Sequence, residues 1–301
     1  MGRMKSFAFK KLDAFTAGSS GGNPAGAVYL NAPDEITADE MQKIARELKG
    51  FVSETGFVSP AGGDAYRLKY YSSEKEVDFC GHATIAIMYD LVQNNPEQAG
   101  RDHIRIITNK GDLTVENRIQ SDDAVFITAP EPVFRSLPLD RESLAIALGT
   151  EADAFNDEYP LCVVNAGLET LLVPFRRLRA VLSLAPDTET LKTYCTGNGV
   201  DIITVFTPET AGSMNSYRTR VFAPVFGYLE DPATGTGNAA LGCCLLENKK
   251  WNGGPVSLEQ GPDPDHPNII RLITRTDAEK NRRVLFGGRA VVRIQGQYIL
   301  P

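Results

Sequence analysis

The 301-residue chain holds a single tryptophan, three histidines and five cysteines, and no two cysteines stand in C-x-x-C spacing. An odd set (Cys80, Cys162, Cys195, Cys243, Cys244), with no signal peptide expected ahead of it, argues against a disulfide framework and for a reducing, cytoplasmic setting. No metal site is spelled out. His103 and His266 stand in polar surroundings, and only His82 lies in a patterned stretch of small residues. Long apolar runs are missing too, so no membrane-spanning helix is expected. Formal charge is −7 and Lys and Arg are scattered. That excludes the basic footprint of a nucleic-acid or anionic-membrane binder and leaves a small molecule as the expected partner. The opening MGRMKS fits an N-myristoylation pattern at Gly2 and Ser6, but a strand-like run begins at once and lipidation is not expected.

What is present is 42% hydrophobic content over a length that implies a well-buried core and two domains. The stretch GTGNAA, Gly235 to Ala240, fits the dinucleotide fingerprint G-x-G-x-x-G/A. That motif needs a buried strand running into the first glycine and an acid about 20 residues on. Glu259 stands near the second position, but the approach FGYLEDPAT carries Pro232 and two acids where the strand should be.

An internal repeat reassigns the motif. AYRLKYYSSEKEVDFCGHATIA from Ala65 aligns with SYRTRVFAPVFGYLEDPATGTGNAA from Ser216. Tyr66 and Arg67 meet Tyr217 and Arg218, an offset of 151, and Cys80-Gly81-His82-Ala83 meets Thr234-Gly235-Thr236-Gly237, an offset of 154. Upstream, Phe57 to Pro60 meets Val205 to Pro208 at an offset of 148. A dinucleotide fingerprint would have no such twin. Each copy reads as an alternating strand, a loop holding an acid, then small residues opening a very apolar helix, which suggests a helix wrapped by a curved sheet in each half.

Further strands are expected in FAFKKLDAF, AGAVYL, IRIITN, AVFITA, LETLLVPF, DIITVF, VLFGGRAVVRIQ and QYIL, with surface helices in TADEMQKIARELK and RESLAIALG. The domain boundary is expected near Ala129-Pro130-Glu131-Pro132, dividing residues 1–129 plus 287–301 from residues 130–286. Both apolar helices start with unpaired backbone N–H groups, so if the halves face each other the two starts could hold a carboxylate between them. The plainer alternative is that Gly, Ala and Thr merely let each helix pack closely.

GGNPAGAVYL around Asn23, SETGFV from Ser53, FCGHAT from Phe79, EDPATGTGNAAL from Glu230 and the closing GGRAVVRIQGQYIL resemble the phenazine-biosynthesis PhzF family over nearly the whole chain. The resemblance implies an α+β fold of the diaminopimelate epimerase kind: two pseudo-symmetric halves, each a barrel-like roll around a central helix, with the active site in the cleft between them. It also implies a homodimer and chemistry without a cofactor. In the related epimerases and racemases a cysteine precedes the glycine in both copies. Here the two positions hold Cys80 and Thr234, and a threonine hydroxyl is too weak an acid to carry a proton near pH 7.

The resemblance points instead to Glu54 as the proton carrier, with Phe51, Val52 and Phe57 expected to form an apolar pocket that raises its pKa. His82 and Asp231 match the family's other catalytic positions. His82 alternatively caps its helix, and Asp231 alternatively serves an ordinary Asp-Pro turn. Thr236 replaces the usual serine, keeping the hydroxyl and adding a methyl. Asn23, Gly81 and Gly235 are expected at the ligand; no metal is expected. The expected activity is an isomerisation moving a proton and a double bond on a small carboxylated substrate. An epimerase or racemase using Glu54 with His82 or Cys80, and a catalytically silent ligand-binding protein, are the alternatives.

Overall fold

A computed structural model describes residues 4–18 and 20–301. Gly2 of the lipidation pattern lies outside the described residues, while Ser6 sits in the strand Lys5–Ala14. Two compact units share the chain: one of Met1–Thr16, Gly21–Thr128 and Gly287–Pro301, the other of Ala129–Phe286 with Ala17–Ser20.

The first unit pairs Lys5–Ala14 antiparallel with Asn23–Tyr29, and Ala290–Leu300 returns along the other side of Lys5–Ala14. After the surface helix Ala38–Glu47, strand Glu54–Pro60 runs parallel to Asn23–Tyr29 and antiparallel to Tyr66–Ser72. Glu76–Val77 and the central helix Gly81–Asn94 follow, then His103–Thr108 parallel to Tyr66–Ser72. The second unit repeats this order. Cys162–Asn165 pairs with Glu169–Pro174, helix Thr188–Asn198 intervenes, Ile202–Thr207 lies parallel to Glu169–Pro174 and antiparallel to Tyr217–Phe222, and Glu230–Asp231 leads to the central helix Gly235–Glu247. Val256–Gln260 then runs parallel to Tyr217–Phe222. The fold is α+β, built of two pseudo-symmetric halves.

The apolar character of the central helices is explained by their burial. Gly81–Asn94 buries every residue from Ala83 to Asp90, and Gly235–Glu247 every residue but Thr236 from Gly235 to Leu245. A helix covered on all sides has little room for charge, and the one buried acid of the first, Asp90, is paired with Lys10 at 2.7 Å. The surface helix Ala38–Glu47 by contrast buries only Met41, Ile44 and Ala45, and starts at a capping box between Thr37 and Glu40.

Close helix-to-sheet approach is made twice. Gly56 faces the first central helix, and a Cβ there would overlap Ile87. In the second unit the glycine is on the helix instead: a Cβ on Gly237 would stand 2.9 Å from Thr204 Oγ1, and Thr204 is the repeat partner of Gly56.

Two expectations about elements change. The expected strand Val284–Gln295 is divided at Arg289, whose carbonyl accepts from the Phe15 amide, and Ala290–Leu300 runs on through Gly296 to include QYIL. Helix Thr188–Asn198 gave little sequence signal because it buries only Leu191 and Cys195 and is otherwise rich in Thr and other weak helix formers.

Candidate active site

In the first unit the site is set by strand alternation. Glu54, Gly56 and Val58 share one face of their strand, and Gly56 shows that this face meets the central helix. Phe57 points the other way, into a cluster with Met41, Ile44 and Tyr71 against the surface helix. It therefore cannot wall a pocket for Glu54, and Phe51, 42% exposed, does not enclose one either. Of the three expected apolar neighbours Val52 and Phe57 are buried, and Phe57 belongs to that opposite cluster. The groups that contact Glu54 come from the first turn of the central helix.

Cys80 is the N-cap of that helix, in extended conformation and without a side-chain capping bond. Its sulfur lies 3.4 Å from His82 Nδ1 and 4.0 Å from Glu54 Oε2, while His82 Nε2 stands 3.3 Å from the same carboxylate oxygen. Removal from water pushes the Glu54 carboxyl up to about 7. The Glu54 side chain keeps 23% of its exposure and His82 12%, so neither is wholly sealed from solvent. Thr84 holds this turn: its hydroxyl donates to the Cys80 carbonyl at 2.7 Å and meets Tyr70 Oη at 2.6 Å. Neither Thr84 nor Tyr70 was singled out from sequence, although a threonine inside an apolar helix is a legible sign of such a bond.

Gly81 opens the helix half-buried, among first-turn amides that have no intrahelical acceptor. Asn23 is buried at the start of its strand, two residues before Ala25, the register partner of Glu54.

The second unit gathers a different set. Thr234, the counterpart of Cys80, donates its hydroxyl to the Asp231 carboxylate. The amide of Gln260, fully buried, holds both ends of this pair. Its Oε1 accepts from the Thr234 backbone N–H at 2.9 Å and from Asn238 Nδ2 at 2.7 Å, and its Nε2 donates to the Asp231 carbonyl at 2.8 Å and to Thr234 Oγ1 at 3.1 Å. The Thr234 hydroxyl is thus bound up within the protein. Asp231 is not a helix cap, since Gly235–Glu247 has no side-chain capping bond; its carboxylate engages the N-cap residue instead.

Gly235 is buried, and a Cβ there would overlap the Phe286 ring, which gives this glycine a packing role. Thr236 is half-buried, and its methyl sits beside Gly167, where a Cβ would come within 3.2 Å of it at a φ of +122°. The extra methyl relative to serine is accommodated by that glycine. Glu259, the acid at dinucleotide spacing, forms a fully buried ion pair with Arg218 at 3.0 Å and accepts from the Ala211 and Gly212 amides, so it is not free for a ribose.

Among the described residues, one group of three metal-ligating side chains has its donor atoms mutually within 4.8 Å: Glu54, Cys80 and His82. No described helix is long and apolar enough to cross a membrane.

A family model described as phenazine biosynthesis-like protein, PhzC-PhzF, matches residues 12–296. The chain is 32% identical to the uncharacterized isomerase YfhB of Bacillus subtilis, over 86% of this chain and 88% of that protein. It is 27% identical to trans-2,3-dihydro-3-hydroxyanthranilate isomerase of Pseudomonas fluorescens, over 96% and 98% of the two chains. The crystal structure of the PhzF-family phenazine biosynthesis protein of Bacillus anthracis shares the fold with a TM-score of 0.87 at 24% identity, covering 98% of this chain and 100% of that one. With a central-helix repeat in each half and a family match that spans both, the chain belongs to the phenazine biosynthesis-like PhzF family, as an isomerase.

Proposed function

We propose that the protein is a cofactor-independent isomerase in which Glu54 moves a proton along one face of a small, unsaturated, carboxylated substrate. The observation that carries this reading is the Glu54 carboxyl, pushed to about 7 by burial and 3.3 Å from His82 Nε2. An acid of that strength is part ionised near neutral pH, so it can take a proton from carbon and still return it. As carboxylate it accepts the proton and leaves a delocalised carbanion; as carboxylic acid, after exchange with solvent through its partly exposed side chain, it delivers a proton to another carbon of the conjugated system. The double bond shifts, and no electrons leave or enter. His82 donates a hydrogen bond to the substrate or relays the proton, and Asp231 is the further acid–base group. Asn23, Gly81, Gly235 and Thr236 contact the ligand, its carboxylate drawn by first-turn amides. The reading includes a cytoplasmic homodimer, which mass measurement in solution at micromolar concentration tests directly.

The named activity of the Pseudomonas relative makes trans-2,3-dihydro-3-hydroxyanthranilate the first compound to try. Turnover in deuterated water, followed by proton NMR, gives a product with a displaced double bond and deuterium at the new carbon–hydrogen position. Inversion of a stereocentre instead identifies an epimerase, a reading favoured by the Cys80 thiol lying 3.4 Å from His82 Nδ1. Binding without any exchange identifies a silent binding protein.

A further inference from the structure

Cys162 and Cys244 take no part in either constellation above. Cys162 opens the strand Cys162–Asn165, and Cys244 lies in the central helix Gly235–Glu247. Their sulfurs stand 3.3 Å apart. Cys244 is buried at 1% exposure, with the Asn248 side-chain amide 3.7 Å from its sulfur, whereas Cys162 is half-buried. This is an arrangement of one reachable thiol and one sheltered thiol in direct contact, inside a single compact unit.

We propose that Cys162 and Cys244 form a reversible dithiol–disulfide site that reacts with low-molecular-weight disulfides such as oxidised glutathione. The Cys162 thiolate attacks one sulfur of the small disulfide, forming a mixed disulfide and releasing one small thiol. The Cys244 thiol gives up its proton, and its sulfur attacks Cys162 Sγ, expelling the second small thiol. Two protein thiols lose two protons and two electrons, and the small disulfide is reduced to two thiols. Closure needs the sulfurs to move from 3.3 Å to the roughly 2.05 Å of a covalent bond, which side-chain rotation can largely supply. The order of events follows from access and from the hydrogen bond between the pair, which holds the Cys162 thiol below the usual range and so favours it as the attacking group. A cytoplasmic thiol pair of this kind serves as a redox sensor rather than a permanent staple. Its output is mechanical: the bond ties the helix that begins with Gly235 and Thr236 to the strand beside it.

The test uses the reduced full-length protein, incubated with oxidised glutathione, then alkylated under denaturing conditions and mapped by peptide mass. The expected result is the loss of two hydrogens, one cross-linked peptide pair joining Cys162 to Cys244, alkylation of Cys80, Cys195 and Cys243, and full reversal by dithiothreitol. The oxidised form should melt higher by on the order of 5–10 °C, since the link closes a long loop. C244S should stop at a stable glutathione adduct on Cys162, and C162S should form no link. Five alkylatable cysteines after oxidation, a persistent adduct on wild-type Cys162, or a link through another cysteine would each overturn the proposal. Mapping of the wild type decides the matter even if a serine variant fails to fold, and it requires no substrate.

Discussion

Glu54 and His82 meet at one carboxylate oxygen, Oε2, with the imidazole Nε2 3.3 Å away and the Cys80 sulfur on the same oxygen at 4.0 Å. Three potential proton carriers therefore crowd one point, and their relative weights can be separated by substitution. Glu54→Gln keeps the shape and should still bind ligand, yet lose turnover and carbon–hydrogen exchange by about 10² to 10⁴. Cys80→Ser should cost far less. Steady-state kinetics and deuterium exchange on both variants check the ordering; a thiol-based epimerase reverses it, because serine cannot replace a thiolate base near neutral pH.

The raised pKa of Glu54 has opposite consequences for rate and for stability. A base titrating near 7 gives a kcat/KM that rises with pH through neutrality and levels off above it. For stability, the folded carboxyl titrates near 7 against an ordinary 4.5, so the native state holds the proton more tightly. That contribution is complete below 4.5 and lost as pH rises through 7. At pH 8 the buried carboxylate costs up to about 3 kcal/mol, less what the 23% of the side chain still in water recovers. Glu54→Gln should accordingly be the more stable protein at pH 8, by about 1–3 kcal/mol, and match the wild type near pH 4. Denaturant unfolding at the two pH values measures this without any substrate.

Gln260 both accepts and donates within the Asp231–Thr234 pair, and a carboxylate can only accept. Gln260→Glu should thus come nearest to the wild type at low pH, where the protonated acid keeps one of the two donated bonds, and lose more stability and turnover as it ionises. Gln260→Met should lose both at every pH, with unsatisfied buried groups costing about 1–3 kcal/mol. A turnover profile for Gln260→Glu that overlays the wild type would show that the hold on Asp231 does not matter to the reaction.

The donor set of Glu54, Cys80 and His82 suits zinc, yet a cation there would occupy the oxygen that proton transfer requires. Dialysis against a chelator should leave turnover unchanged. Added zinc should inhibit, and Cys80→Ser should weaken the inhibition. Activity lost on chelation and restored by zinc would replace the proton-carrier mechanism with a metal-dependent one.

By itself the sequence determined the repeat, the two apolar central helices and the order of strands around them, because each rests on periodicity within about ten residues or on two stretches of chain that can be laid side by side. Only the tertiary structure decided what Glu54 touches. Its neighbours Cys80 and His82 come from beyond the next two strands, brought up by a close approach that Gly56 permits, while nearby Phe57 alternates to the far face. The fates of Gln260 and Glu259 were equally hidden: adjacent on one strand, they point to opposite sides, one into the Asp231–Thr234 pair and the other onto Arg218. Local sequence sets which residues share a face, but which partner covers that face is settled by how strands and helix pack across long stretches of chain.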